Sequence, residues 1–405
     1  MAHIKKYIDC KYIYQNGELV EHDSRVGKEK HTIFWESGDL WVEVHDYLRG
    51  KRVKAATIRS NAYDLYNYAE WLESENIHWL HFPLQKKNRC LYRYRGYLTR
   101  GIKGTGKLEA RRMNAVINFY RWCKVYGVID KQLQLWSDQQ VPVSFFNDTG
   151  FERTSRVLTT DLKIQSRNKN ITSVESGLLP ISIEDRDELL KFLLENQSER
   201  NQVLYLLFLT GFYTGARLGS IRKLRIEHLE AAIEDPVYES ILQVQAGPGT
   251  GIPTKFDVSG CLRFPRPIAD ELKKYARTNV ARLLRQTKAS EKNRSLIFLT
   301  KNGKPYSQQN INMAMSELRS DLVLAGLTQF CDLKFHQSRA TCGTELARIL
   351  MRSGEVNAIQ LVRDWLMHKS ETVTMKYINF IKVTRQAEKL NSEYNKRFLG
   401  EDFGL

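Results

Sequence analysis

The segment KFHQSRATCGTELA, residues 334–347, combines a titratable ring and a cation at the start of a helix-like pattern. His336 and Arg339 are three positions apart, so on a helix their side chains leave from the same face. Burying a cation beside such a ring is costly unless a negative group lies opposite. The pair therefore indicates an anion site, and the negative group could belong to the chain or to a ligand.

Further groups in the second half of the chain could face the same negative partner. Arg217 follows Gly215 in TGARLGS, and Lys255 lies in GIPTKFD, in a turn between two strand-like pieces. His368 and Tyr377 are nine positions apart in LMHKSETVTMKYINF. Arginines, histidines, a lysine and a tyrosine fit poorly with a carboxylate-based mechanism, and they suit a phosphodiester.

Each of these residues, taken alone, has a structural alternative. Tyr377 is one of 19 tyrosines, and a tyrosine in an apolar C-terminal segment is usually a core residue. Arg217 could cap the preceding helix or pair with Glu227. His336 alone would more often be a hydrogen-bonded core histidine, and His368 could pack against the segment that carries the tyrosine.

The lysine of the set has its own alternatives. The strand-like piece after Lys255 offers Arg263 but no lysine, so Lys273 and Lys274 are the nearest replacements. Both lie on a predicted helix, where a solvated face is their ordinary role. Lys255 therefore stays the predicted lysine.

The order and spacing of these motifs resemble the tyrosine recombinase family, also called the phage integrase family. The shared features are an Arg after Thr-Gly, a Lys in a β-turn, HxxR, a His-to-Tyr spacing near the C-terminus, and a basic helical region ahead of them. The resemblance covers most of the chain from about residue 40. Two positions depart from it: Ser220 stands where the family often has an acidic residue, and Met367 where it usually has Gly.

The resemblance implies a role for each group. Tyr377 would attack a DNA phosphorus, form a 3′-phosphotyrosyl link and release a 5′-hydroxyl. The link conserves the energy of the phosphodiester, so no cofactor or metal is expected. The other groups would stabilise charge or move protons: Arg217 and Arg339 would clamp the non-bridging oxygens, Lys255 would protonate the leaving oxygen, His336 would assist the tyrosine's proton transfer, and His368 would hydrogen-bond the phosphate.

The composition agrees with a nucleic-acid partner. The 405 residues carry 62 Lys and Arg against 46 Asp and Glu, a net charge of +16. Such an excess usually has a polyanion as partner, although a generic basic protein is the alternative. The six cysteines form no CxxC and no zinc-type cluster with histidines, which favours a reducing compartment and no metal.

One short segment imitates a nucleotide-binding motif. GIKGTGKL, residues 101–108, has the glycines and the lysine of a P-loop. However, Leu108 stands where a Ser or Thr should hold Mg²⁺, and no apolar strand precedes the segment. Nucleotide binding is therefore not expected there.

Local patterns predict a mainly α chain with a small β-sheet, an α+β fold. The resemblance implies a helical core-binding domain and a tyrosine-recombinase-like catalytic domain. We predict a small N-terminal β-hairpin piece at 1–35, with a turn at Asn16-Gly17, and a helical core-type DNA-binding domain at 36–130. A basic linker at 131–180 and a catalytic domain with a C-terminal tail helix at 181–405 complete the chain.

The catalytic part should be built mostly of helices. Ser182 is a predicted helix cap ahead of leucines, and NQVLYLLFLTGFYTGA reads as a buried helix. YESILQVQA, GCLRFPRP and SLIFLT read as strands, with helices at about 268–284 and after Ser307. An amphipathic helix is expected beyond Tyr377, either docked on a neighbouring subunit or folded back on its own domain.

Basic residues interleaved with aromatic residues predict DNA contacts outside the catalytic set. For any one of them a solvated helix face is the alternative. The predicted contacts are Arg59, Arg111, Arg112, Arg121, Arg153, Arg156, Lys163 and Arg167.

Together, these features predict a site-specific DNA recombinase or integrase of a mobile genetic element. The expected partners are double-stranded DNA and an accessory DNA-bending protein, and the chain is expected to form a homotetramer on paired sites. The expected location is the cytoplasm, at the nucleoid if the host is bacterial, and no membrane is expected to be involved. The alternatives are a type IB topoisomerase-like or resolving enzyme and a non-catalytic DNA-binding protein on the same scaffold. The N-terminal piece could bind arm sites or brace the next domain.

Overall fold

The computed structural model describes residues 1–8, 11–15, 18–22, 29–100, 106–146, 152–165, 174, 177–355 and 357–394. The chain divides into two compact units, Met1–Phe145 with Glu152–Lys169 and Phe146–Phe151 with Asn170–Leu405. The predicted turn at Asn16-Gly17, the predicted DNA contact Arg167 and the side chain of Arg153 lie outside the described residues.

Among its described residues, the first unit has four α-helices and three two-stranded sheets. Its strands are β1 His3–Ile8, β2 Lys11–Gln15, β3 Glu18–His22, β4 Glu29–Phe34, β5 Asp138–Phe146 and β6 Glu152–Thr160. Its helices are α1 Val42–Gly50, α2 Ala55–Ser74, α3 Cys90–Arg100 and α4 Lys107–Val125. Strands β2 and β3 pair antiparallel, with Gln15 opposite Glu18 on either side of the position predicted for the hairpin turn.

Aromatic side chains dominate the core of the first unit. Trp41 meets Phe119 edge to face at 5.5 Å between ring centroids, and the hydroxyls of Tyr68 and Tyr120 lie 3.0 Å apart. These residues come from α2, α4 and the segment before α1, and all of them are buried. Large rings bury much apolar area per residue, so this small helical unit obtains a substantial core from few elements.

Two strands of the first unit lie in the span predicted as a linker, 131–180. No periodicity in that sequence indicated β5 and β6. Leu135 and Trp136 before β5, and Leu162 and Ile164 after β6, are buried in the core of the first unit. The ends of this hairpin are therefore anchored by apolar contacts distant in sequence, which local patterns do not show.

The second unit is mainly helical, with one three-stranded antiparallel sheet in the order β7-β8-β9 among its described residues. The strands are β7 Ile233–Glu234, β8 Ile241–Ala246 and β9 Gly260–Pro265. The helices are α5 Ile183–Glu195, α6 Glu199–Thr214, α7 Leu218–Ile221, α8 Ile226–Glu230, α9 Arg266–Thr278, α10 Val280–Thr287, α11 Gln308–Leu324, α12 His336–Arg352, α13 Ala358–Trp365 and α14 Glu371–Tyr394. The predicted fold class, mainly α with a small sheet, is confirmed.

Helix boundaries in the second unit follow the predicted caps. The Ser182 side chain accepts a hydrogen bond from the Asp185 amide at 2.9 Å, and Ser307 accepts one from the Asn310 amide at 3.1 Å. The predicted buried helix forms α6, at the centre of this unit's core. Capping signals are local in sequence, which is why they could be recognised there.

Three element predictions need correction. SLIFLT forms no strand: Leu296 and Leu299 each make only an isolated β-bridge. The segment is apolar because it is buried as irregular chain, and an apolar run alone does not distinguish that from a strand. The helix predicted at 268–284 is interrupted at Asn279, whose side chain accepts from the Arg282 amide at 2.8 Å and starts α10. The tail is not a separate helix, since α14 runs without a break from Glu371 to Tyr394.

Helices α6 and α12 pack so closely that a side chain on α6 would not fit at their crossing point. A Cβ placed on Gly211 of α6 would collide with the Ser338 hydroxyl of α12, and the rings of Phe208 and Phe335 lie 5.1 Å apart. Only a residue without a side chain permits this approach. The contact places the first turn of α12, which carries the HxxR motif, beside the end of α6.

Candidate active site

A buried guanidinium links the segments that carry the other predicted groups. Arg339 is 2% exposed, and its Nη1 donates to the Gly215 carbonyl and its Nη2 to the Leu366 carbonyl, each at 2.6 Å. Gly215 lies two residues before Arg217, and Leu366 lies two residues before His368. Hydrogen bonds from a charged donor are among the strongest in proteins, so one side chain fixes both segments.

Tyr377 on α14 packs directly on the backbone of α12. A Cβ placed on Gly343 would lie 2.6 Å from Cε1 and 2.9 Å from Cζ of the tyrosine ring. Gly343 is four residues, about one turn, after Arg339 on the same helix. The phenol ring is therefore held within about a turn of the buried arginine, and it is 0% exposed.

The second predicted histidine lies against the tyrosine. The rings of His368 and Tyr377 stack with centroids 5.9 Å apart at an interplanar angle of 25°. Nδ1 of His368 lies 2.9 Å from the Thr374 hydroxyl, which fixes the plane of the imidazole. The structure thus brings Arg339 of α12 together with His368 and Tyr377, which lie in a later segment of the chain.

Arg217 is placed by the end of α6. The helix ends at Gly215, which adopts the left-handed backbone conformation with φ +65°. The Gly215 amide donates to the Gly211 carbonyl. Arg217 follows as the residue before α7, half-buried, and its carbonyl accepts from the Ser220 amide at 2.8 Å. The preceding helix therefore ends at a glycine C-cap, two residues before the arginine.

Ser220 connects the helix that follows Arg217 to the loop that carries the lysine. Its hydroxyl donates to the Pro253 carbonyl at 2.7 Å, two residues before Lys255. This serine stands where the resemblance leads one to expect an acid. A neutral hydroxyl at that position serves as a tether between α7 and the β8–β9 loop.

Lys255 lies in the exposed loop between β8 and β9, as the sequence predicts for a turn. Its Nζ is 5.2 Å from the ring centroid of Phe256, and Nζ of Lys369 is 5.8 Å from the same centroid. Lys369 follows His368 directly, so the loop borders the segment that packs on the tyrosine. The alternative Lys273 instead bonds Asp270 on α9 at 3.2 Å.

His336 begins α12, half-buried, three positions before Arg339 on the same helix. Cys342, on the following turn, is a further group close to the site. Burial raises the pKa of its thiol to about 12, against an opposing effect of the nearby Arg339. The cysteine is therefore a neutral thiol at physiological pH and not a competing nucleophile.

Several contributors to the site were missed in the sequence. Thr374, Gly343, Phe256 and Lys369 were not singled out. Thr374 stands three residues before the tyrosine on α14, so helical spacing could have found it. Gly343 and Phe256 matter through tertiary packing and backbone conformation, which no local pattern reveals.

Met367 stands where the family usually has Gly, and its backbone conformation shows what this difference involves. Its φ is +51°, in the left-handed region that favours glycine, and its side chain is buried against Gly260. A side chain in that region costs about 1–2 kcal/mol of backbone strain. The thioether's buried contacts offset this strain at the turn just before His368.

The strain at Met367 gives a stability prediction. Met367→Ala and Met367→Gly should both destabilise the protein, because both remove the buried side chain. The Gly variant should be more stable than the Ala variant by about 1 kcal/mol, since only Ala keeps a Cβ at positive φ. Urea unfolding of both variants measures the difference. At the neighbouring Leu366, where φ is −83°, the Ala variant should be more stable than the Gly variant, which is the usual order. If the Ala variant were also the more stable one at Met367, the account would be contradicted.

The side chain of Arg263 on β9 joins the sheet to the helix before the site. Arg263 donates to Asp235 at 3.1 Å, and its guanidinium lies 5.8 Å from the Tyr238 ring and 5.4 Å from the Trp365 ring. Burial would raise the pKa of Asp235. Hydrogen bonds from the Gln243 side chain, from two backbone amides and from the arginine outweigh burial and lower that pKa to about 2. The network holds the end of α13, just before Met367 and His368.

This carboxylate should make stability depend on pH. Its folded pKa is below the unfolded value of 3.8, so its contribution is present above about pH 4 and is lost as the pH falls through about 2. We expect Asp235→Asn to cost about 2 kcal/mol at pH 7 and much less at pH 2.5. Urea unfolding at both pH values tests this, with Asp270→Asn as the exposed control. An equal cost at both pH values would contradict the assignment.

The predicted DNA contacts of the first unit differ in their surroundings. Arg59 and Arg121 are exposed and lie over aromatic rings, Tyr63 and Trp136, each at 5.9 Å from the centroid. Arg111 forms a bidentate ion pair with the buried Asp64, at 3.0 and 2.9 Å, while its own side chain stays 56% exposed. The remaining described members are Arg112, half-buried, and Arg156 and Lys163, both exposed.

Two features are absent from the described residues. No cluster of three or more His, Cys, Asp or Glu side chains there could hold a metal ion. No described helix is long and apolar enough to cross a membrane.

The fold and the site define a tyrosine recombinase catalytic domain, in which a helix with HxxR packs against the helix that bears the tyrosine. Residues 183–382 match the model of the phage integrase family, so this domain belongs to that family. This assignment confirms the family that the motif order indicated. No curated protein sequence matches the chain.

Solved structures of recombinases share the fold. The XerH site-specific recombinase bound to a palindromic difH substrate, in a post-cleavage complex, is 16% identical with a TM-score of 0.52, over 87% of this chain and 84% of that one. The Tn1549 transposon integrase in complex with transposon right end DNA is 13% identical with a TM-score of 0.51, over 86% and 98%. At these identities the likeness establishes the fold.

Proposed function

We propose that this chain is a site-specific DNA recombinase that cuts and rejoins DNA through a 3′-phosphotyrosyl intermediate on Tyr377. Family membership supports the reaction class. The observation that carries the assignment of residues is the position of Arg339. Its guanidinium binds the segments of Arg217 and His368, while Gly343 of the same helix contacts the tyrosine ring.

The proposed chemistry balances without an external reagent. The Tyr377 oxygen forms a bond to phosphorus, the bond from phosphorus to the 5′-oxygen breaks, and a 5′-hydroxyl leaves. His336 takes the phenol proton, and Lys255 donates a proton to the leaving oxygen. Arg217 and Arg339 stabilise the charge on the non-bridging oxygens of the five-coordinate transition state. Reversal of these steps with another strand's 5′-hydroxyl reseals the DNA.

The buried position of the tyrosine adds a step to this scheme. The phenol is 0% exposed in the chain alone, between His368 and the backbone of α12. A phosphate must come within bonding distance of its oxygen. We infer that α14 or the turn before it shifts when DNA binds.

We further propose that four subunits pair two DNA sites, with basic surfaces of both units contacting the phosphates and the tail of α14 docking on a neighbouring subunit. The likeness to the Tn1549 transposon integrase supports a mobile element as the genetic context. The proposal places the reaction in the cytoplasm, at the nucleoid of a bacterial host, with a DNA-bending protein as an optional accessory. With a net charge of +16, binding should weaken steeply as salt increases.

A two-site suicide-substrate assay tests the function. Nicked duplexes trap the covalent protein–DNA intermediate, and intact duplexes with two sites report strand exchange. The proposal expects both the adduct and the exchange products. Relaxation of supercoiled DNA without exchange would point to a type IB topoisomerase-like or resolving enzyme, and sequence-specific binding without any adduct would point to a non-catalytic DNA-binding protein.

A further inference from the structure

The tip of the β8–β9 loop holds an aromatic ring in solvent. Phe256 is 62% exposed, on a loop that the Thr254 hydroxyl closes by donating to the Val258 carbonyl at 2.7 Å. An exposed phenylalanine gains little from its own fold, because its apolar surface stays in water. The ring is therefore placed for contact with something outside the chain.

The backbone at this tip is strained. Phe256 and Asp257 have φ values of +63° and +56°, two consecutive non-glycine residues in the left-handed region. Such conformations are unfavourable for residues with a Cβ, and they concentrate at sites where structure serves a function. The strain projects the ring from the end of a loop that Ser220 ties to α7.

Two cations that border the active site lie near the ring. Nζ of Lys255 is 5.2 Å and Nζ of Lys369 is 5.8 Å from its centroid. Lys369 follows His368, whose ring stacks on Tyr377. A flat apolar ring with two ammonium groups near it matches a position in a DNA strand, where each base is flanked by two backbone phosphates.

We propose that Phe256 is a positioning residue that stacks on the nucleobase beside the scissile phosphate, while Lys255 and Lys369 contact the phosphates on either side of it. This inference rests on the proposed function and adds a contact with the base. The ring partly unstacks that base and so holds the scissile phosphate for attack. Cleavage should be easiest where the base step beside the phosphate unstacks readily, such as TA or CA.

The first test compares side chains at position 256 on a defined DNA. A duplex selected by the wild-type protein from a randomised pool is the substrate, and single-turnover adduct formation is the measurement. Phe256→Ala and Phe256→Leu should slow adduct formation about tenfold, because base stacking requires an aromatic face. Phe256→Trp keeps an aromatic face and should react at close to the wild-type rate. Leu284→Ala, on α10 and 60% exposed, is the matched control and should react at the wild-type rate.

The second test reports on the base itself. 2-Aminopurine placed beside the mapped cleavage position should brighten when the wild-type and Trp proteins bind, because the base unstacks, and should not brighten with the Ala protein. A merely structural role would not produce this pattern. Wild-type rate and brightening in Phe256→Ala would overturn the inference alone. Failure of the wild-type protein to select a duplex, or to form any adduct with it, would overturn the proposed function instead.

Discussion

Replacing Tyr377 with phenylalanine is expected to abolish the covalent protein–DNA adduct and to leave sequence-specific DNA binding intact. The substitution removes the phenol oxygen that would attack phosphorus, and no other group in the scheme can form the ester. It keeps the ring that stacks on His368 and packs on Gly343, so the site should retain its shape. Binding curves and detergent-resistant adducts on a nicked substrate measure the two properties separately.

A second buried tyrosine provides the control for this substitution. Tyr275 on α9 is 5% exposed and belongs to the core of the same unit. Tyr275→Phe also removes a buried hydroxyl, but it should leave adduct formation at the wild-type level. An adduct that persists in Tyr377→Phe would show that another residue is the nucleophile.

Replacing Arg339 with alanine is expected to slow cleavage by roughly a hundredfold or more, the usual effect of removing a donor to transition-state charge. The structure adds a second effect. The carbonyls of Gly215 and Leu366 would lose charged donors at 2.6 Å, and the segments of Arg217 and His368 would lose their common anchor. Stability should fall by about 3 kcal/mol, because buried acceptors would be left unsatisfied. Single-turnover cleavage and urea unfolding measure the two effects.

Arg339→Lys separates charge from geometry. It keeps the positive charge and restores part of the stability, but a single ammonium does not reproduce the fork that joins two carbonyls. Its cleavage should stay well below the wild-type rate. Near-normal cleavage in both variants would show that the arginine is structural, and a folded lysine variant keeps this test valid if the alanine variant unfolds.

Candidate site residues could be chosen from the sequence more readily than the contacts that support them. Arg217, Lys255, Arg339, His368 and Tyr377 could be chosen because an ordered set of reactive side chains is visible without tertiary structure. Serine caps could be chosen for the same reason, since their signals lie within a few residues of the helix start. The roles assigned to the catalytic residues remain predictions until the reaction is measured.

What the sequence could not predict depends on contacts between distant residues. The pair of Arg111 with Asp64 joins positions 47 residues apart, so no local pattern indicates it. The apolar run SLIFLT reads as a strand, but the structure offers it only isolated bridges. Backbone conformation is equally hidden, since nothing in the types of Phe256 or Met367 indicates a positive φ.

Mass spectrometry of the trapped adduct tests the central claim most directly. After trypsin and nuclease digestion, the account predicts that the peptide YINFIK, residues 377–382, carries a nucleotide joined to Tyr377 through its 3′-phosphate, and that the released strand ends in a 5′-hydroxyl. A nucleotide on any other residue, or a link through a 5′-phosphate, would contradict the account.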